Sequence, residues 1–117
     1  MIPASERPVE VADGMYVSQH KFSLEEEAYR KVIVAHAQET KKCYEEALDR
    51  DVDAQGKVVL EFDVNDTGQV KKTLAKSTDI HDEKFKSCLV DHSLKWQFPP
   101  AKKGQVTTIS FPFFFSN

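Results

Sequence analysis

No run of eighteen apolar residues occurs anywhere in the 117 residues, which excludes a membrane-spanning helix within them. The first twenty residues also lack the basic start and apolar stretch of a secretory leader. Residues 1–22 are polar and proline-containing, so the expectation is an excised domain in which they form a linker or a poorly ordered extension, with residues 23–117 as one folded domain. Val9, Val11, Tyr16 and Phe22 are its candidate anchoring points. Only four glycines are present, and none forms a phosphate-cradling loop. There is no recognisable Ser-His-Asp context and no pair of carboxylates on a helix facing a cleft. An enzyme is therefore not expected, and no cofactor is implied.

Charge of one sign is not concentrated either. Residues 1–55 hold 7 basic and 12 acidic side chains (7 − 12 = −5), and residues 56–117 hold 9 and 7 (9 − 7 = +2). Neither half has a dense basic stripe interleaved with aromatics, which argues against nucleic acid as a partner. Asp51, Asp53, Asp63 and Asp66 bracket strand ends in turn-like contexts, and their spacing does not match a calcium-binding helix-loop-helix.

Cysteine is scarce, with two in the chain and no Cys-x-x-Cys, so thioredoxin-like chemistry is not expected. Cys43 and Cys88 each lie in a stretch of helical periodicity, with a hairpin signal between them. That arrangement reads as a cross-link bracing two helices over a sheet, which would place the chain in an oxidising compartment. A second reading remains open at this point. Cys43 and Cys88 with His36 and His92 are ligand types that suit tetrahedral zinc, and Cys88 and His92 are four residues apart on one helical face.

The first helix is predicted from Ser23 to about Asp49, with Ser23 as cap and Glu26 in the capping-box position. Tyr29, Val32, Ile33, His36, Thr40, Cys43, Ala47 and Leu48 share its apolar face, where His36 reads as a core histidine. Tyr44, near the edge of that face, is suited to a structural hydrogen bond through its hydroxyl. Val58, Leu60, Phe62 and Val64 alternate with polar residues over 57–64, then Asn65-Asp66-Thr67-Gly68 supplies a hairpin connection to a returning strand over 69–77. The second helix is predicted over 82–97, capped by the acids at Asp79, Asp82 and Glu83 and stopped by Pro99 and Pro100, with Phe85, Cys88, Leu89, His92 and Trp96 on its apolar face. His20 and His81 are expected to be solvated.

A last strand is predicted over 105–116. In its Phe-rich end three aromatics read as core, while alternation points Phe114 the other way. Pro112 cannot donate to a ladder, which predicts an edge position for this strand, at least near its end. The fold class is α+β, in the order α-β-β-α-β: a three-stranded antiparallel sheet with two helices on one face and the first of these strands in the middle.

Several segments in order resemble the AgmX/PglI C-terminal domain, a relative of the TonB C-terminal domain. They are Cys43-Tyr44-Glu45 within the helix from Val32 to Leu48, Gly56-Lys57-Val58, Asp66-Thr67-Gly68-Gln69-Val70, Ser77-Thr78, Cys88, Trp96-Gln97-Phe98-Pro99 and Phe111-Pro112-Phe113. The resemblance covers about residues 24–116, and it departs at Phe111, where tyrosine is the expectation. It implies a periplasmic domain of envelope proteins in gliding and predatory bacteria, often behind a membrane anchor and a flexible linker. Proteins similar to TonB pair an edge strand with a peptide from an outer-membrane partner. The corresponding expectation is β-augmentation at the last strand, through Gln105, Thr107, Ile109, Phe111 and Phe114, by an outer-membrane or periplasmic envelope protein or peptide. The alternatives are a scaffold that self-associates as a homodimer through its sheet edges and, third, the Cys/His zinc domain.

Overall fold

The computed structural model describes residues 8–12, 14–18, 24–100 and 103–116. The Ser23 cap, the Glu26 side chain, Phe22 and His20 lie outside the described residues. The elements in chain order are β1 (Pro8–Ala12), β2 (Met15–Ser18), α1 (Leu24–Ala35), α2 (Ala37–Arg50), β3 (Gly56–Val64), β4 (Val70–Lys76), α3 (Glu83–Ser93) and β5 (Thr107–Phe115).

The single predicted first helix is two. His36 interrupts it with φ −100° and ψ 14°, and its N–H turns back to Ile33 O at 3.1 Å. The Val32-Ile33-Val34 run loses side-chain freedom in a helix, which weakens the turn just before the break. Thr40 Oγ1 then donates to the carbonyls of His36 and Ala37, both at 3.1 Å, and so serves acceptors at the start of α2.

The expected three strands are present with β3 in the middle, but the sheet has five, in the order β1-β2-β5-β3-β4, all antiparallel. The two extra strands come from the N-terminal segment expected to be a linker, and they pair as a hairpin laid outside β5. An isolated hairpin is marginal in water, so these strands gain stability by joining an existing sheet and burying Met15 and Val17 completely. Gly14 makes the approach possible. Its φ is +76°, and a Cβ there would stand 2.3 Å from Ser116 O.

Alternation assigns the two faces of the sheet. Val58, Leu60, Phe62 and Val64 from β3 and Phe111, Phe113 and Phe115 from β5 are buried. Tyr44 of α2 and Phe85 of α3 stack against Phe115 with ring centroids 4.8 and 5.3 Å away, which seats the helix pair on this face. Ser93 and Thr73 form a buried polar contact in the same layer, Ser93 Oγ to Thr73 Oγ1 at 2.9 Å. Trp96 and Phe98 close one end over Phe62, each with centroids 5.7 Å from its ring. Phe98 N–H donates to Gly68 O at 2.9 Å, and Gly68 has φ +85° with no room for a Cβ, which would come within 1.9 Å of Phe98 O.

Candidate functional site

Among the described residues, β5 is covered along only part of its length. β2 pairs with it from Met15↔Phe115 to Val17↔Phe113 and no further, whereas β3 pairs with its whole span from Thr107 to Phe115. Ser116 N–H donates to Gly14 O at 2.7 Å, so the backbone groups of residue 116 face the β2 side. The two-residue repeat of an antiparallel strand extends that assignment along β5. Phe114, Pro112, Ser110 and Thr108 turn their backbone groups toward β2, and Thr107, Ile109, Phe111, Phe113 and Phe115 turn theirs toward β3. Pro112 thus costs the β3 ladder nothing. Its missing N–H falls on the outer side, next beyond the last β2 pairing.

Beyond Pro112, Thr108 and Ser110 present N–H and C=O groups to a side where no strand lies among the described residues. This revises the expected edge residues. Phe114 is not at an open edge, because Tyr16 pairs with it. Thr107, Ile109 and Phe111 spend their backbone bonds on Val64, Phe62 and Leu60, and Gln105 is exposed ahead of the strand. Among the described residues, Thr108 and Ser110 are the ones whose outward backbone groups have no strand opposite them, and side-chain patterning alone does not single them out. Pro112 therefore marks where the cover stops, and it does not make the whole strand an edge.

The solvent face beside that edge is acidic and hydroxylated. Thr108 Oγ1 donates to Asp63 Oδ1 at 2.8 Å, Ser110 Oγ to Glu61 Oε2 at 3.5 Å, and Lys76 Nζ meets the same Glu61 oxygen at 3.3 Å. Toward the covered end of the strand, Lys57 Nζ lies 6.0 Å from the Phe114 ring centroid. The other two edges are guarded. β4 carries exposed Lys71, Lys72 and Lys76, and β1 has a register irregularity between Glu10 and Ala12.

On the opposite face, Cys43 and Cys88 form a disulfide between α2 and α3, with Cα atoms 5.8 Å apart. Cys43 is fully buried and Cys88 half-buried. Arg50 Nε donates to Asp82 Oδ2 at 2.7 Å and ties the same helices a second time. Asp82 also caps α3 by accepting from Phe85 N–H at 3.1 Å. The Arg50 bond leads the effects that hold its carboxyl below the ordinary value, against a smaller upward push from burial. Tyr44 hydroxyl donates to Ala54 O at 2.5 Å, the structural role expected of it, and burial pushes that phenol up.

Glu39 gathers a cluster that the sequence does not announce. One carboxylate oxygen meets His36 Nδ1, and the other accepts from His92 Nδ1 at 3.2 Å and from Trp96 Nε1 at 3.5 Å. Partial burial raises the Glu39 carboxyl, but the His36 hydrogen bond and charge, with the Trp96 and His92 bonds, outweigh it and leave the group lowered. His36 stacks on Trp96, with centroids 4.9 Å apart at 14°. It is half-buried at the helix break instead of standing in the core. His36 also stands apart from the sulfurs: among the described residues, the ligand-type side chains that lie within 4.8 Å of one another are Cys43, Cys88 and His92.

Among the described residues no helix is long and apolar enough to cross a membrane. No family model, curated protein or solved structure matches the chain.

Proposed function

We propose that this chain is a non-enzymatic protein-interaction domain of a periplasmic, envelope-spanning, TonB-like system, serving gliding motility or transport. It captures an extended segment of an outer-membrane or periplasmic envelope protein by β-augmentation at the uncovered half of β5. The observation that carries this reading is the outward N–H and C=O pairs of Thr108 and Ser110 between Val106 and the Pro112 stop, with no described strand opposite them. An unpaired strand edge is a template for another strand, because it leaves backbone groups that a partner satisfies. Lysines on β4 and the irregular β1 make the competing edges poorer templates. The Cys43–Cys88 bridge is consistent with an oxidising compartment, and periplasm is the one the resemblance to the AgmX/PglI domain implies.

The test uses a displayed library of random linear peptides selected on the oxidised domain. Amide exchange at Thr108 and Ser110 is expected to slow when a selected peptide binds. Ser110→Pro removes an outward donor in the way Pro112 already does, without touching the β3 ladder. It should weaken peptide binding by about 5-fold, the equivalent of about 1 kcal/mol for the one lost backbone bond, and leave the circular dichroism unchanged. Selected peptides that bind Ser110→Pro as tightly as the parent, or that protect amides only elsewhere, would overturn the reading. A concentration-dependent dimer that Ser110→Pro abolishes would assign the edge to a second copy instead.

A further inference from the structure

The helix pair carries a second feature, separate from the β5 edge. Cys88 and His92 are four residues apart on α3, Glu39 and Cys43 are four apart on α2, and the two pairs meet across the helix interface through the disulfide and the Glu39–His92 hydrogen bond. A ring nitrogen of His92 lies within 4.8 Å of both sulfurs. Glu39 Oε1 holds the Nδ1 of His92 at 3.2 Å. An ionised carboxylate only accepts, so Nδ1 carries the proton in that bond, which leaves Nε2 as the nitrogen a metal would take from the neutral ring. A carboxylate behind a histidine in this way fixes the tautomer and ring orientation of metal-ligating imidazoles.

We propose that reduction of the Cys43–Cys88 bridge opens a three-ligand zinc site, composed of both thiolates and His92 Nε2, with Glu39 as the positioning carboxylate and water in the fourth position. Zinc bonds of about 2.3 Å to sulfur and about 2.0 Å to nitrogen place two tetrahedral sulfurs about 3.7 Å apart and sulfur and nitrogen about 3.5 Å apart. The sulfurs reach that spacing once their bond is broken, and a ring nitrogen of His92 already lies within 4.8 Å of both. Access is from the Cys88 side, where half-buried Cys88 lines an open concavity with Glu83, Lys84, Asp91 and His92. His36 is not a ligand, being stacked on Trp96 and bonded to the other oxygen of Glu39.

The step balances with a dithiol as reductant. It delivers two electrons and two protons to the bridge and is left as a disulfide. The two new thiols then lose their protons to solvent as the metal binds. Thiol-disulfide exchange in the reverse direction expels the ion, so bridge and metal are mutually exclusive states of the same two sulfurs.

Cobalt(II) is the probe. The reduced, desalted protein is titrated with it anaerobically, beside the oxidised protein. One cobalt per chain is expected in the reduced form, with thiolate-to-cobalt charge transfer and the visible bands of a tetrahedral ion, and none in the oxidised form. His92→Ala should weaken binding at least ~10-fold, and Glu39→Gln by ~10-fold to ~100-fold, with two titratable thiols retained in each. His36→Ala should leave the visible bands unmoved, and a shift there would overturn the three-ligand assignment. Reduced protein that keeps its helical signal and two thiols but shows no charge-transfer band would overturn the site. So would wild-type affinity in His92→Ala, or a helical signal that is lost on reduction and not restored by cobalt.

Discussion

Pro112 stands opposite Val59 on β3 with its nitrogen turned away from that strand, toward the side on which the pairing with β2 stops at Val17↔Phe113, one residue away. The ring interrupts no bond in the central ladder, yet it withholds the donor that the next residue of β2 needs for pairing. One residue thereby divides β5 into a half that β2 covers and a half with no strand opposite it among the described residues. The division is a matter of backbone direction, and it puts the Phe-rich end of the strand inside the sheet.

The disulfide is expected to supply a large part of the stability of this domain. Its sequence separation of 45 corresponds to about 4 kcal/mol of loop-closure entropy removed from the unfolded chain. Cys43→Ala with Cys88→Ala should lower the urea midpoint by a corresponding amount. It should also steepen the denaturant dependence, because the unfolded ensemble becomes more exposed. A loss under about 1 kcal/mol would show that the packing of α2 on α3 holds without it.

Asp82 has two separable jobs, and its variants should divide them. Asp82→Ala removes both the cap on Phe85 N–H and the Arg50 pair, and a loss of about 1–2 kcal/mol is expected in equilibrium unfolding. Asp82→Asn keeps a capping oxygen and gives up only the charge, so it should cost about 0.5 kcal/mol. The Asp82 carboxyl is lowered in the fold, so its charge-dependent contribution is present above the ordinary value of 3.8 and disappears as pH falls through the lower folded value. Parent and Asp82→Asn should therefore converge in strong acid, and a gap that persists there would assign the effect to shape.

Glu39 should show the same sign over a neighbouring range. Its lowered carboxyl means that the anion is favoured by folding, an advantage present above the ordinary value of 4.5 and lost as pH drops through the folded value. Chemical denaturation of the parent and Glu39→Gln across that range should give a difference that shrinks toward acid. The group is over a third exposed, so solvent screening keeps the effect modest and added salt should reduce it.

Much of the fold follows from periodicity. The alternation over 57–64, the Asn65-to-Gly68 turn, the apolar face around Cys88 and the alternating Phe residues of β5 all predict elements within a few residues of where they stand. The helix break at His36 is invisible to the same method, since the apolar face continues in phase on both sides of it. The N-terminal hairpin is a different case. Ala12-Asp13-Gly14-Met15 carries the Asp-Gly signature of a tight hairpin, flanked by alternating Val9, Val11 and Val17, but its strands are short. Their pairing becomes worthwhile only when β5 is there to receive them.

By itself the sequence determined most of the side chains that face the core, where the turns fall, and that Cys43 and Cys88 each lie on the apolar face of a helix, because each of these depends on local repeat and residue chemistry. Only the tertiary structure decided which end of β5 β2 covers, that Thr108 and Ser110 turn their backbone groups to a side with no strand among the described residues while Phe114 is paired, and that Glu39 joins His36, His92 and Trp96. Those outcomes belong to segments far apart in the chain, 57 residues for Glu39 and Trp96 and 100 for Met15 and Phe115 (115 − 15 = 100). The direction of a backbone hydrogen bond and the meeting of one carboxylate with three rings are fixed by which neighbour arrives, and no local pattern encodes that neighbour.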